Sequence, residues 1–337
     1  MALTEENKDY YPLRTVATRV IHRYSKTMNF EVFVLGTSGM MPLPGRFLTS
    51  ALVRREGELI LFDCGEGTQI SLKMLNLKWK HISTICISHM HADHVTGLPG
   101  LLMLNSQVDR TEPLVIYGPE PLKEYIYQTR KLLDMYINYE IIVKTVKEGT
   151  VVTHDDYTIE AFALDHTKPC YGYTLKERER PGIFHPDKAL SLHVPKGPMW
   201  SMLQHGNSIT LDDGTLITPD QVVGKKRLGR SFSYVTDTLY KESIIPHIER
   251  SDLMLCEGMF DHSLLESAIE KKHMTSTQAA LLAKKAHVGQ MGLIHYSPRY
   301  TNQELKLLLK EAKEVFPRSF LAKDRMKITL PLKDETL

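Results

Sequence analysis

The chain has 337 residues, 42 Lys and Arg against 40 Asp and Glu, and hydrophobic and charged shares of 42% and 24%. Those shares are those of an ordinary folded protein and exclude a disordered, collagenous or coiled-coil chain, while the length suffices for one large domain or two ordinary ones. The net charge of +2 leaves a nucleic-acid partner open, because a basic face can sit inside a balanced total.

Three absences set the expected compartment. No apolar run approaches the ~18 residues needed to span a bilayer. The opening MALTEENKDYY lacks the basic and apolar regions of a signal peptide. Cys64, Cys86, Cys170 and Cys256 are scattered, with no C-x-x-C pair, which suits a reducing compartment better than a disulfide framework. The sequence reads as soluble and cytoplasmic.

Residues 1–28 read as a short N-terminal extension, with a helix expected around Thr18–Tyr24. A domain over 29–337 follows, in which short β-branched and aromatic runs predict strands and amphipathic runs predict helices. In chain order these are strand Glu31–Leu35, strand Glu58–Phe62, helix Thr68–Leu75, strand Ile82–Ile87, helix Leu98–Ser106, strand Leu114–Tyr117, helix Pro121–Tyr136 and strand Tyr157–Leu164. After a long interruption come strand Phe232–Thr236 and helices Thr277–Ala286 and Asn302–Val315. Strands in clusters, several followed by short helices, fit a layered α/β domain better than a strictly alternating doubly wound sheet.

The interruption runs from about Lys176 to Arg230 and is rich in Gly, Pro, His and charges, including Pro181-Gly182, Gly197-Pro198 and Asp213-Gly214. It carries nine basic residues against six acidic ones, a net +3 that exceeds the charge of the whole chain. A ~55-residue segment without core periodicity is too long for an ordinary connection and is usually functional. It is expected to be either a flexible surface insertion or an arm that touches something anionic.

The strongest chemical signal is His89-Met90-His91-Ala92-Asp93-His94, directly after the strand at Ile82–Ile87. Four metal-competent side chains within six residues at a strand end suit zinc, which takes imidazole nitrogen and carboxylate oxygen. His89 and His91 can aim at one point, and Asp93 and His94 at another. Further ligands are expected at other strand ends: His166 before Pro169, Asp237 within Thr236-Asp237-Thr238, and His295 after the apolar run Met291–Ile294. Asp237 is suited to bridge two metals. Two metals ~3.5–4 Å apart generate a hydroxide nucleophile at neutral pH, so the residues point to hydrolysis.

With those residues, the chain resembles the metallo-β-lactamase superfamily and, within it, the tRNase Z (ribonuclease Z) endonucleases. The resemblance rests on His89-x-His91-x-Asp93-His94, Phe62-Asp63-Cys64-Gly65-Glu66-Gly67-Thr68-Gln69, Gly197-Pro198, His273-x-Thr275-x-x-Gln278-Ala279 and His295-Tyr296-Ser297-Pro298-Arg299-Tyr300, and runs from about Phe30 to Leu330. It implies an α/β fold, the four-layer αβ/βα sandwich, with a tRNA-binding arm at about 176–230. It implies two Zn²⁺ per chain (Mn²⁺ or Fe²⁺ as substitutes), one on His89, His91 and His166, the other on Asp93, His94 and His295, with Asp237 bridging. Asp93 would accept a proton from the attacking water, and His273, oriented by Glu257, would assist the leaving oxygen. Asp63 would orient the histidine loop from behind, or only make an Asx turn before Gly65.

The implied activity is removal of the 3′ trailer from precursor tRNA, leaving a 3′-hydroxyl on the tRNA and a 5′-phosphate on the trailer. The enzyme would be a homodimer in which one subunit's arm serves the other's site. Three stretches depart from the family pattern: Thr236-Asp237-Thr238, Cys256-Glu257-Gly258-Met259-Phe260 and Pro42-Leu43-Pro44-Gly45-Arg46-Phe47. None removes a metal ligand. Two rivals are a small-molecule hydrolase of the same superfamily, which leaves the basic arm and His273 unexplained, and a non-catalytic RNA-binding relative, which would have lost ligands.

Overall fold

A computed structural model describes residues 29–108 and 110–333; the helix expected around Thr18–Tyr24 lies outside them. Strands β1 (Phe30–Gly36), β2 (Ser50–Arg55), β3 (Glu58–Phe62), β4 (Ile82–Cys86), β5 (Leu114–Gly118) and β6 (Ile141–Thr145) build the first sheet in that order. Strands β7 (Gly149–Thr153), β8 (Tyr157–Leu164) and β9 (Cys170–Glu177) open the second sheet as antiparallel neighbours. The arm follows with β10 (Ile209–Thr210) and β11 (Leu216–Ile217). Then β12 (Ser231–Val235), β13 (Leu253–Glu257), β14 (Gln290–Ile294) and β15 (Ser319–Leu321) complete the second sheet in parallel, and β16 (Lys327–Thr329) returns to pair with β1.

Alternation along the strands separates three apolar layers. In β1, Phe30, Val32 and Val34 face the second sheet and share a core with Phe232, Tyr234, Leu253 and Leu255. Phe33 and Leu35 face outward, against the helices Leu98–Ser106 and Pro121–Leu132. In β13 the pattern repeats: Leu253 and Leu255 point inward, while Met254 and Cys256 meet the helices Ser276–Lys285 and Leu305–Val315. Helix, sheet, sheet, helix is the expected four-layer sandwich.

Of the predicted elements, Glu58–Phe62, Leu98–Ser106 and Tyr157–Leu164 have the expected bounds. The helix expected over Pro121–Tyr136 stops at Leu132, because Asp134 adopts a left-handed backbone (φ 48°). The arm departs most from expectation. Its stem is two antiparallel segments bridged at Arg180–Arg227 and Phe184–Val223. Beyond the stem, three short helices, each with a proline near its start, and the β10–β11 hairpin enclose Ala189, Val194, Leu203, Ile209, Ile217 and Val222. The segment is thus a small packed unit with a core of its own. Of its charges, Glu177 and Arg230 are buried and neutralise each other, which leaves eight bases against five acids and the same net +3.

Candidate metal centre

All seven expected ligands meet at one rim of the sandwich, where β4, β8, β12 and β14 end. After β4 the chain passes through Ser88 and stays extended to His91 (φ −73°, ψ 148°), then enters the short helix Ala92–Val95. His89 and His91 precede the helical turn, while Asp93 and His94 lie in it. That change of backbone divides six residues into two directions of aim. His166 follows β8, Asp237 follows β12, and His295 follows β14 with φ 57°.

The ring nitrogens His89 Nε2, His91 Nδ1 and His166 Nε2 converge, with His91 Nδ1 2.9 Å from the first and 3.1 Å from the last. Asp237, 2% exposed, lies between two groups. Its Oδ2 is 3.6 Å from His89 Nε2 and 3.7 Å from His166 Nε2, while its Oδ1 is 3.5 Å from His94 Nε2 and 3.2 Å from His295 Nε2. Asp93 Oδ2 faces the second group, 3.7 Å from His94 Nε2 and 3.8 Å from His295 Nε2. Both sets, His89/His91/His166/Asp237 and Asp93/His94/His295, bring their ligand atoms within 4.8 Å of one another.

Whether divalent ions fit can be judged from what the polar atoms lack. His94 Nε2 is buried without a hydrogen-bond partner, although Asp93, Asp237 and His295 surround it. A buried nitrogen left this way is costly unless something else binds it. Burial drives His89, His91 and His166 below the ordinary imidazole range, and so favours the neutral form that ligates metals. For His94, burial acts downward but the carboxylates of Asp237, Asp93 and Asp63 prevail and raise it well above that range. The pocket therefore attracts positive charge, and the donor set of imidazole and carboxylate suits zinc.

Behind the ligands, a second row fixes each ring by its other nitrogen. His94 Nδ1 meets Asp63 Oδ2 at 2.7 Å, His295 Nδ1 meets Thr49 Oγ1 at 2.9 Å, and His89 Nδ1 meets Ser88 Oγ at 3.0 Å. His166 Nδ1 donates to the Lys272 carbonyl (2.9 Å), and His91 Nε2 lies 3.3 Å from Thr167 Oγ1. Asp63 does more than turn the chain: it also accepts from Ser88 N–H (2.7 Å), Ser88 Oγ (2.8 Å) and Tyr234 OH (2.9 Å), which ties the histidine loop to the second sheet. Gly39 passes so close to His295 that an added Cβ would lie 2.7 Å from its Nε2. The next residue, Met40, holds Asp93 Oδ2 with its N–H at 2.7 Å.

His273 lies two residues before Thr275, the N-cap of the helix Ser276–Lys285, rather than at the helix start itself. Thr275 and Gln278 form the capping box that sets this entry. The His273 ring is 5.0 Å from that of His166 and 5.7 Å from that of His295, centroid to centroid. Its Nδ1 contacts both oxygens of the fully buried Glu257 at 3.1 and 3.2 Å, and Glu257 also accepts from Thr238 N–H at 2.7 Å. Burial lowers the His273 pKa, but Glu257 and Asp237 outweigh it and hold it at about 9. His273 also forms a possible ligand group with Asp237 and His295.

Sequence reasoning missed Thr49, Ser88, Thr167, the Lys272 carbonyl and the Met40 amide. The last two act through backbone atoms and leave no trace in residue identity. Four residues of the site, Met40, Asp63, Lys272 and His295, have φ between 54° and 63°, a left-handed backbone that non-glycine residues rarely adopt.

Comparison with known proteins agrees with this geometry. Ribonuclease Z of Treponema denticola is 60% identical over 308 residues, 91% of this chain and 100% of the relative. Ribonuclease Z of Borrelia duttonii is 44% identical over 310 residues, 89% of this chain and 97% of the relative. Among solved structures, the short form of human tRNase Z matches with a TM-score of 0.66 at 26% identity, over 90% of this chain and 100% of that one. The metallo-β-lactamase fold protein YhfI of Bacillus subtilis shares the fold, with a TM-score of 0.62 at 21% identity, over 89% of this chain and 99% of that one. A family model described as Anti-Pycsar protein Apyc1 matches residues 30–194. The chain belongs to the ribonuclease Z family and has the fold of the metallo-β-lactamase hydrolases.

Proposed function

We propose that this chain cuts one phosphodiester of precursor tRNA and removes the 3′ trailer, leaving a 3′-hydroxyl on the tRNA and a 5′-phosphate on the trailer. The observation that carries this reading is the Asp237 carboxylate, whose two oxygens face separate histidine groups, in a chain of this family. His89, His91 and His166 would hold one ion and Asp93, His94 and His295 the other, with the Asp237 carboxylate placed between the two groups. Two zinc ions, or Mn²⁺ or Fe²⁺ in the same nitrogen and oxygen sites, supply Lewis acidity and acidify water.

The chain's own residues then move the protons. Met40 N–H fixes Asp93 Oδ2, so Oδ1 is the oxygen that takes the proton of the attacking water. Glu257 holds His273 by Nδ1, so the proton on Nε2 passes to the departing 3′-oxygen. The buried Glu257 carboxylate at Nδ1 favours the protonated ring, the form an acid needs.

The arm grips the RNA away from the chemistry. Lys188, Lys196, Lys225 and Lys226 are exposed on it, and the Lys196 ammonium lies over the Trp200 ring at 6.0 Å. Its root lies at the far end of the strands: β9 begins with Cys170, whose Sγ contacts the Asp237 carbonyl, and ends with Glu177 beside the stem. Seven steps of strand place about 23 Å between them. This supports a homodimer in which each arm serves the partner's site. An apolar face for self-association lies on three neighbouring helices over the first sheet, where Met74, Met103, Tyr127 and Leu132 are exposed. No helix of the described residues is long and apolar enough to cross a membrane. We place the enzyme in the cytoplasm, where four free, buried cysteines stay reduced.

Incubation with 5′-labelled precursor tRNA tests this. The expected result is one metal-dependent cut at the junction of tRNA and trailer, with a 3′-hydroxyl end. Hydrolysis of a nitrophenyl phosphodiester with the precursor left intact would replace the reading with a small-molecule hydrolase.

A further inference from the structure

Glu177 and Arg230 stand at the two feet of the arm, one closing β9 and the other just before β12, with side chains 3% and 1% exposed. Arg230 donates to Glu177 from Nε (2.7 Å), Nη2 (2.8 Å) and its backbone N–H (3.0 Å). Arg55 of β2, in the opposite sheet, adds an Nε bond at 2.9 Å. The two guanidinium groups lie over Phe30 and Tyr157, at 5.2 and 5.4 Å from the ring centres. A strap from the end of the chain completes the arrangement. The Leu330 carbonyl accepts from Arg230 Nη1 (3.4 Å), the Lys333 carbonyl from Arg180 Nη2 (3.1 Å), and Lys333 Nζ pairs with Asp252 at 2.7 Å.

An insertion needs only its two chain ends to be joined to a domain. This one is bound to both sheets and to the strap at 330–333. A buried ion pair contributes little net stability over apolar packing, but a bidentate guanidinium–carboxylate contact admits few orientations. The stem from Arg178 to His185 is about 23 Å long at strand rise, so a tilt of roughly 10° at its foot displaces the far end by about 4 Å. Misplacement of ~1 Å at a reacting centre can already cost ~10²-fold in rate.

We propose that Glu177, Arg230, Arg55 and the strap at 330–333 are positioning residues for RNA cleavage: they fix the direction in which the arm leaves the sandwich, and with it the register between gripped RNA and metal site. This rests on the reading that the arm grips RNA. Three proteins separate the two ideas: Glu177→Gln, the full chain shortened to end at Leu330, and a chain with Glu179–Arg227 replaced by a short Gly-Ser linker. For each, kcat and KM on precursor tRNA, the salt dependence of tRNA binding, and the rate on bis(p-nitrophenyl) phosphate are measured.

The expected result for Glu177→Gln is a KM for tRNA raised by about tenfold or more, with hydrolysis of the small ester within about twofold of wild type. The shortened chain should move in the same direction. Both should keep the wild-type salt slope, because the arm's lysines remain, whereas the linker variant should lose slope as well as affinity. If both variants keep the wild-type KM while the linker variant does not, the clamp does not position the arm. Parallel loss of small-ester hydrolysis would equally overturn the proposal, since the clamp would then support the fold as a whole. Should Glu177→Gln not fold, the shortened chain decides alone. If the linker variant itself keeps wild-type KM and slope, the failure lies with RNA gripping by the arm.

Discussion

The two rims of the sandwich bury charge in opposite ways. At the metal rim, His94 Nε2 has no hydrogen-bond partner and three imidazole nitrogens crowd together, an arrangement that suits a cation. At the arm rim, Glu177 is saturated by four N–H donors from Arg55 and Arg230. One end is incomplete without a ligand, and the other is complete by itself. Residues of the first kind are therefore expected to change chemistry when replaced, and residues of the second kind to change geometry and stability.

The largest effect is expected at Asp237. Replacing it with Ala should abolish cleavage and lower metal content below two per chain by elemental analysis; full metal content would argue against bridging. Next come Asp93→Ala and His273→Ala, each expected to lose ~10²–10⁴-fold in turnover, as acid–base groups do. His273→Ala should keep both metals if the ring donates a proton, and loss of one would make it a ligand with Asp237 and His295. A smaller change is expected from Thr49→Ala, which frees the His295 ring: metal affinity should fall by ~10–100-fold while activity at saturating zinc largely survives.

The smallest effect on chemistry belongs to the arm rim, where stability is the readout. Burial raises the Glu177 carboxyl, but hydrogen bonding and charge from Arg230, with Arg55, outweigh it and hold it below its ordinary value. Its stabilisation is then complete above the unfolded value of about 4.3 and is lost as pH falls through the lower folded value. Glu177→Gln should be less stable than wild type by ~3 kcal/mol at pH 7, because two arginines stay buried without their partner. In chemical denaturation the gap should start to narrow as pH falls below about 4.3 and vanish below the lower folded value; a gap that persists in strong acid would mean the charge is not what stabilises the foot of the arm.

The two rims also differ in how far they can be read without a structure. His89, His91, Asp93 and His94 stand in one short motif, and His166, Asp237 and His295 all mark strand ends, so the residues that cluster at this rim were legible. What supports them was not: Thr49 and Ser88 are ordinary hydroxyl residues, and Lys272 and Met40 contribute backbone atoms. The clamp joins positions 55, 177 and 230 across both sheets, and no local pattern reports such a contact. Strand β13 (Leu253–Glu257) was overlooked because it is buried on both faces and reads as a continuous apolar run without alternation. The arm's core escaped notice for a related reason. Five of its six buried residues are spread over helices of four to seven residues and the two-residue strands of a hairpin, and Val194 lies between helices, so no element is long enough to show a period.

The most direct test of the division between a chemical rim and a gripping rim mixes two defective proteins. Asp237→Ala subunits keep an intact arm but no working site, and subunits with Glu179–Arg227 replaced by a linker keep the site but no arm. After unfolding and refolding together, mixed dimers pair the intact arm of one subunit with the intact site of the other. If arm and site act across the dimer, the mixture should cleave precursor tRNA at the trailer junction although neither protein does so alone. A mixture no more active than its components, with mixed dimers shown to have formed, would contradict an arm that serves the partner's site.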